Sequence, residues 1–488
     1  MKRIAACLLT ALMLLSLVSC GVTQGEDEPD GTKIRLSDDG ISVNGKPISE
    51  DTDAAVYAAH DIVFYLQGQG IAYGEGDSDD AHTQEEADAH TVVHITKPGT
   101  YILSGQLSAG QIAVDLGEDA ESDPNAVVTL VLDGVDITCQ VAPAIIFYNV
   151  YECGDADNAN MDVDTSAAGA NIVIADGSEN TVNGSYVAKI YESCTLSEDG
   201  SEVLDSKKLH KYDGAVYSKM SMNVSGGEME SGILNINAEN EGLDSELHLT
   251  VNGGNINIVS GDDGINTNED GVSVTTVNGG HINILVNGRQ GEGDGIDSNG
   301  WLVINGGTVI AEACSSSGDA GIDSDMGIYI NGGTVIASGN MLDGIAESRQ
   351  NYAVFTFSQK QSGDGQTYML KNADGETVMQ ATPTNGFSCL ILSVSELEAG
   401  DYTLWCGDKQ LSGVSGSAGG RTMIPDQERP EMPMGEAPGG NGQEPPEKPD
   451  GAMGEVMARP DQMPQGEINS EASEVFSIMA GGDYFTVV

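Results

Sequence analysis

Apolar residues in the middle of the chain alternate with polar ones, and the alternating runs return at a fixed interval. Asn255-Ile256-Asn257-Ile258, His281-Ile282-Asn283-Ile284, Thr308-Val309-Ile310 and Thr334-Val335-Ile336 each follow a Gly-Gly pair, and runs such as 247–251 and 327–330 precede one. Period-2 alternation predicts strands with one buried and one exposed face. The triplets headed by Ser225, Asn252, Asn278, Asn305 and Asn331 recur at steps of 27, 26, 27 and 26 residues. Between them lies a second repeated element: Glu241-Gly242-Leu243-Asp244-Ser245, Asp263-Gly264-Ile265-Asn266-Thr267, Asp294-Gly295-Ile296-Asp297-Ser298, Ala320-Gly321-Ile322-Asp323-Ser324 and Asp343-Gly344-Ile345. A unit near 26 residues holding two or three short strands predicts one coil of a parallel β-helix, an all-β solenoid. A propeller blade needs about 40 residues, and the LxxLxL frame of a leucine-rich repeat is missing. Coils stacked about 4.8 Å apart would place Leu243, Ile265, Ile296, Ile322 and Ile345 in one inward ladder.

The same signals divide the rest of the chain. Residues 21–98 read as an N-terminal cap with short strands and an acidic, His-containing loop at 75–90, and 99–349 as the β-helix. Segments 100–116, 127–137 and 171–182 continue the strand series, with 140–165 and 186–212 expected as inserted loops. Residues 350–412 lose the repeat but keep strand patterns and form a small C-terminal β-module. Nine of the fifteen prolines fall in 413–470, which predicts a disordered Pro-, Gly- and Met-rich linker. A final strand in 471–488 is expected to return to the body.

The first twenty residues bear on location. Lys2 and Arg3 precede an apolar stretch at 4–15 that is too short to span a bilayer. Leu17-Val18-Ser19-Cys20-Gly21 then reads as a lipobox, so 1–20 is expected to be a lipoprotein signal peptide and Cys20 the lipidated residue of an extracytoplasmic, membrane-anchored protein. Acidic side chains outnumber basic ones 76 to 20, for a net charge of −56. Nucleic acid is therefore an unsuitable partner, as is an anionic membrane surface. Six cysteines remain beyond Cys20. Cys389 with Cys406 is the expected disulfide and the others are expected to be buried thiols; without a CxxC pair and with few histidines, zinc is not indicated.

Several blocks resemble a known family. Tyr101-Ile102-Leu103-Ser104-Gly105-Gln106-Leu107, Gln111-Ile112-Ala113-Val114-Asp115, Leu130-Val131-Leu132-Asp133-Gly134-Val135-Asp136-Ile137 and Asp213-Gly214-Ala215-Val216-Tyr217-Ser218-Lys219 are similar to successive blocks of a clostridial secreted carbohydrate-binding domain family, over about residues 32–410. The resemblance implies a right-handed parallel β-helix that binds calcium and has affinity for acidic pectic chains and cellulose. The sequence departs from that pattern in its insertions at 54–90, 140–165 and 186–212, and its last repeat ends in Ala346-Glu347 rather than Asp-Ser.

Charge sharpens the functional reading. Residues 213–347 hold 20 acidic side chains and two basic ones, Lys219 and Arg289. Asp244, Asp262, Asp263, Asn266, Asp294, Asp297, Asp319, Asp323, Asp325 and Asp343 recur in one turn of consecutive coils, which makes them the candidate metal ligands. Like charges about 5 Å apart repel by ~1 kcal/mol in water and by more near a protein surface. Calcium relieves that repulsion, because it takes six to eight oxygens at about 2.3–2.6 Å. The plainer alternative is a solvated acidic turn that caps its own backbone.

The expected function is calcium-dependent binding of a plant polysaccharide at the cell surface, without catalysis. A calcium-dependent lyase is the runner-up, with Lys219 and Arg289 its available bases. A hydrolase is weaker, because Gly261-Asp262-Asp263 lacks the companion motifs of a polygalacturonase. A structural surface adhesin is the third reading. With only Trp301 and Trp405, a flat tryptophan platform for cellulose is poorly provided for.

Overall fold

The computed structural model describes residues 31–154, 159–413, the backbone of 415–416, and 473–488. The signal segment with Cys20 and nearly all of 413–470 lie outside the described residues. Among those described, one short α-helix, Gln84–Asp88, and one 3-10 turn interrupt an all-β chain.

The long-period repeat becomes parallel strand pairing. Asn255–Ser260 pairs with His281–Val286, which pairs with Thr308–Glu312, which pairs with Thr334–Gly339. Their inward residues stack as Ile256, Ile282, Val309 and Val335, none of them solvent-exposed. The strands before each Gly-Gly pair stack likewise, through Leu249, Thr275, Leu302 and Ile328. The second glycine of each pair has φ between +76° and +97° at Gly254, Gly280, Gly307 and Gly333. That left-handed turn suits glycine and lets the chain pass from one strand row to the next.

The third row is a seven-stranded sheet running from Val56–Ala59 to Ile265–Thr267. Its ladder joins Val93, Ile112, Ile145, Val216, Leu243 and Ile265, and single bridges extend it to Ile296 and Ile322. All eight side chains are fully buried, each contributing about 1.5–3 kcal/mol of apolar burial. Ile345 does not join them. It pairs with Ile328 in another row and is only half-buried. Seventeen positions separate these two partners instead of the 26 or 27 usual in that row, so the chain between them is too short to add another third-row strand.

Other expectations need correction. Residues 186–212 are an antiparallel hairpin, Val187–Leu196 with Val203–Tyr212, rather than a loop. Segment 140–165 contains Ile145–Asn149, a rung of the buried sheet. It is apolar on both faces, so alternation did not reveal it. Parallel stacking also begins before residue 99, with Thr32–Leu36 on 101–105 and Thr91–Ile95 on 110–114. At the other end, Phe387–Ser393 pairs antiparallel with Thr334–Gly339 and ends the parallel run. Tyr352–Gln361 and Asp483–Val487 extend the same sheet. The second core there is aromatic, with Phe355 packed against Phe476 and Phe485. The expected Cys389–Cys406 disulfide is not formed, and all six described cysteines are free. Cys389 is buried in the large sheet, whereas Cys406 lies in the five-stranded sheet, its thiol donating to Gln366 Oε1 at 3.2 Å.

The ladder makes a direct prediction. Ile265→Ala opens a cavity between two rungs and is expected to cost about 2–5 kcal/mol in chemical denaturation. Ile345→Ala, off the ladder and half-exposed, should cost much less. Equal losses would contradict the ladder as the main source of stability.

Candidate metal centre

Four glycines of the second repeat, Gly242, Gly264, Gly295 and Gly321, sit where neighbouring rungs of the third row meet, whereas Gly344 has open space around it. A Cβ on Gly264 would lie 2.2 Å from Ile284 Cγ2 and 2.6 Å from the Gly295 carbonyl oxygen. One on Gly295 would lie 2.3 Å from the Gly321 carbonyl oxygen. These glycines therefore let coils approach, and the acids beside them are carried together. One column holds Glu241, Asp263 and Asp294, with Ala320 at its next position; the other holds Asp244, Asn266, Asp297 and Asp323, and Asp343 comes beside Asp323 instead of continuing the first. Asp244 pairs in register with Asn266, while Asp297 and Asp323 follow the bridged Ile296 and Ile322.

Three of the sequence-predicted ligands converge. Asp294, Asp297 and Asp323 each present a carboxylate oxygen such that the three lie within 4.8 Å of one another. Backbone donors fix the surrounding frame. Asp263 Oδ1 accepts from the Asp294 amide at 2.6 Å, and Asp294 Oδ1 accepts from the Ala320 amide at 2.5 Å. Asp319 Oδ2 accepts from the Gly293 amide at 2.7 Å and also from Ser317 Oγ. Among the described residues, no basic side chain forms an ion pair with Asp294, Asp297 or Asp323. Asp262 lies beside this group, near Glu292 and Asp319. Asp343 neighbours Asp323 at the end of the column, with Oδ2 buried and unpartnered. Asp325 remains exposed and outside the trio.

Asp244 and Asn266 belong to a second, more buried group. Asp244 is fully buried and accepts from Asn268 Nδ2 at 2.6 Å, while Asn266 Nδ2 donates to Glu241 Oε1 at 3.0 Å. Glu241 Oε2, Asp244 Oδ2 and Asn266 Oδ1 are all buried without a hydrogen-bond partner. Such oxygens are costly unless something pairs with them, and this set suits a hard cation. Sequence reasoning missed Glu241 and Asp213 here. Glu241 occupies the same repeat position as Asp263 and Asp294, so its signal was present. Lys211 was also missed: it comes from the hairpin and pairs with Asp213 at 3.1 Å, which holds the ammonium charged. The expected lyase bases are engaged elsewhere, Lys219 with Glu121 at 2.7 Å and Arg289 with Glu239 at 3.5 Å.

Burial first, and neighbouring like charges after it, raise the proton affinity of the acids in both columns. Burial, then the Glu292 charge, push Asp262 up to about 6. Burial followed by Asp323 brings Asp297 and Asp343 each to about 7. Asp263, Asp294, Asp244 and Glu241 are raised well above the ordinary carboxylate range, burial leading in each. At Asp213 burial outweighs the nearby Lys211 charge.

With this geometry in place, similarity to known proteins narrows the class. The family profile described as carbohydrate-binding domain-containing protein matches residues 89–364, more than half of the chain. The chain belongs to this family. A carbohydrate-binding domain-containing protein of Acetivibrio thermocellus is 29% identical over 204 residues. That match covers 40% of this chain and 57% of the relative, so the chain spans little more than half of that relative's length. A solved structure of the polysaccharide lyase-like protein from C. thermocellum, a gadolinium derivative, aligns with TM-score 0.36 and 21% identity over 61% of this chain and 96% of that one. The carbohydrate-binding match includes both acidic groups.

The raised carboxyls set a pH dependence. Without a cation, the folded state binds protons more tightly than the unfolded chain. That contribution to stability is full below the ordinary carboxylate value and is lost as pH rises through about 6 for Asp262 and about 7 for Asp297 and Asp343. In EDTA the melting temperature is therefore expected to fall between about pH 5 and about pH 8. A flat or rising profile would mean that these carboxylates are not packed as described.

Proposed function

We propose that this carbohydrate-binding protein is a calcium-dependent polysaccharide-binding lipoprotein, held outside the cytoplasmic membrane through Cys20, and that it is not an enzyme. Its repeats would wind as a right-handed parallel β-helix, a reading supported by three parallel strand rows that the chain revisits in turn, at steps of 26 and 27 residues in two of them and of 22, 31 and 26 along Leu243, Ile265, Ile296 and Ile322 in the third. The observation that carries the function is the convergence of Asp294, Asp297 and Asp323 within 4.8 Å. Asp262, Asp263 and Asp319 border that trio, and the orphaned oxygens of Glu241, Asp244 and Asn266 offer a second place for an ion. Calcium suits both, being a hard cation with flexible oxygen coordination. Once bound, it would supply the positive charge that a chain of net charge −56 otherwise lacks toward a uronate. The glycan class expected is an acidic pectic chain or cellulose.

Calcium is expected to raise the melting temperature in the millimolar range, as a ligand that only the folded state binds. In Asp294→Asn combined with Asp297→Asn the calcium response should vanish, while the metal-free melting temperature stays level or rises because repulsion is removed. The same variant should lose calcium-dependent binding of polygalacturonate. Wild-type melting that ignores both calcium and EDTA would sink the metal claim. Steady release of an ultraviolet-absorbing unsaturated uronide would overturn the non-catalytic one. Cys20→Ala should move the protein from the membrane to the soluble fraction, and a mutant that still sediments with membranes would refute the lipid anchor.

A further inference from the structure

A different face of the strand stack carries a groove of about 500 Å³ that the acidic columns do not touch. Its floor is the outward row of the strands preceding each Gly-Gly pair: Thr250, Thr276, Val303 and Tyr329 stand in register on successive rungs. Along one edge run Asn252, Asn278, Asn305 and Asn331. Each amide donates to the one before it, at 2.9 Å for Asn278 and Asn305 and 2.8 Å for Asn331. Every Asn in the row therefore keeps a second N–H and a carbonyl lone pair for another partner. The segment 161–166 walls one end, pinned where Thr165 Oγ1 meets Thr250 Oγ1 at 2.7 Å and donates to Asn223 Oδ1 at 2.9 Å. Glu347 and Arg349 stand at the other end.

We infer that this groove is a second, metal-independent carbohydrate site that takes an uncharged linear oligosaccharide lying along the stacking axis. Four rungs span about 14 Å at the inter-strand spacing, and the repeat of a pyranose chain is close to that spacing. Successive sugars can thus meet equivalent amides, which is recognition by repetition. Hydroxyl groups both donate and accept, as the free N–H and carbonyl positions of the Asn row require. Tyr329 supplies an aromatic face for the apolar side of a sugar ring. Charge selects against a uronate here, because Asp162, Asp164 and Glu347 line the groove with only Arg349 opposing them. The inference rests on the carbohydrate-binding reading for its ligand class, but not on calcium.

The test uses cellohexaose and xylohexaose as probes, with hexagalacturonate as the charged comparator. Trp301 lies on the outward face two residues before Val303, so Trp405→Phe leaves it as a single local fluorophore. In that background cellohexaose or xylohexaose should change Trp301 emission equally with calcium and with EDTA. Tyr329→Ala should weaken the affinity about tenfold, as loss of one stacking face implies. Thr276→Arg, which fills the groove from its floor, should abolish binding, and unchanged melting curves would exclude misfolding. No binding of either neutral probe to the parent protein, or binding indifferent to both substitutions, overturns the proposal. So does tighter binding of hexagalacturonate that Thr276→Arg blocks. Polygalacturonate binding that ignores EDTA, with neutral probes still bound in the groove, would instead count against the calcium site alone.

Discussion

In-register stacking of parallel strands copies each side chain onto its counterpart about 4.8 Å away, and what that proximity does depends on the side chain. Aliphatic residues benefit, and the ladder from Val93 to Ile322 is buried throughout. Asparagines satisfy one another, as the row from Asn252 to Asn331 does, because an amide is both donor and acceptor. Carboxylates can only repel. A chain that stacks Asp294, Asp297 and Asp323 holds that arrangement against electrostatics, using the apolar ladder beneath it.

The distribution of the acids follows from small changes in the repeat. Asn266 stands where its neighbours have Asp, and it separates the buried pair Glu241 and Asp244 from the trio further along. Ala320 removes a carboxylate from the other column, and its amide instead donates to Asp294. Lys211 enters from the hairpin only at the Asp213 end. The result is two acidic groups with different surroundings, one deeply buried and near a lysine, the other more open and without a basic partner among the described residues.

The stack also has to end without leaving a free sheet edge, which invites unwanted strand addition. Val56–Ala59 pairs antiparallel on one side of the seven-stranded sheet, and Phe387–Ser393 does so where the parallel run of the large one ends, with Tyr352–Gln361 and Asp483–Val487 added beyond it. The aromatic core around Phe355 and Phe387 then supports these added strands, and the Tyr484 hydroxyl accepts from the Ile345 amide at 3.3 Å.

From the sequence alone the all-β class, the 26- to 27-residue step, the strands flanking each Gly-Gly pair and the acidic repeat could be read, because periodicity is local and survives without coordinates. Leu243, Ile265, Ile296 and Ile322 were legible as a ladder for the same reason. Tertiary structure decided what periodicity does not encode. Ile345 changed rows because the chain between it and Ile328 is too short to add another third-row strand. Ile145–Asn149 joined the core although its apolar run does not alternate. Lys211, distant from the repeat pattern, reached Asp213 because a hairpin folded it there. Which acids meet is likewise a matter of how closely neighbouring rungs approach. That approach is set by glycines such as Gly264 and Gly295, whose role shows only when the neighbouring backbone is in place.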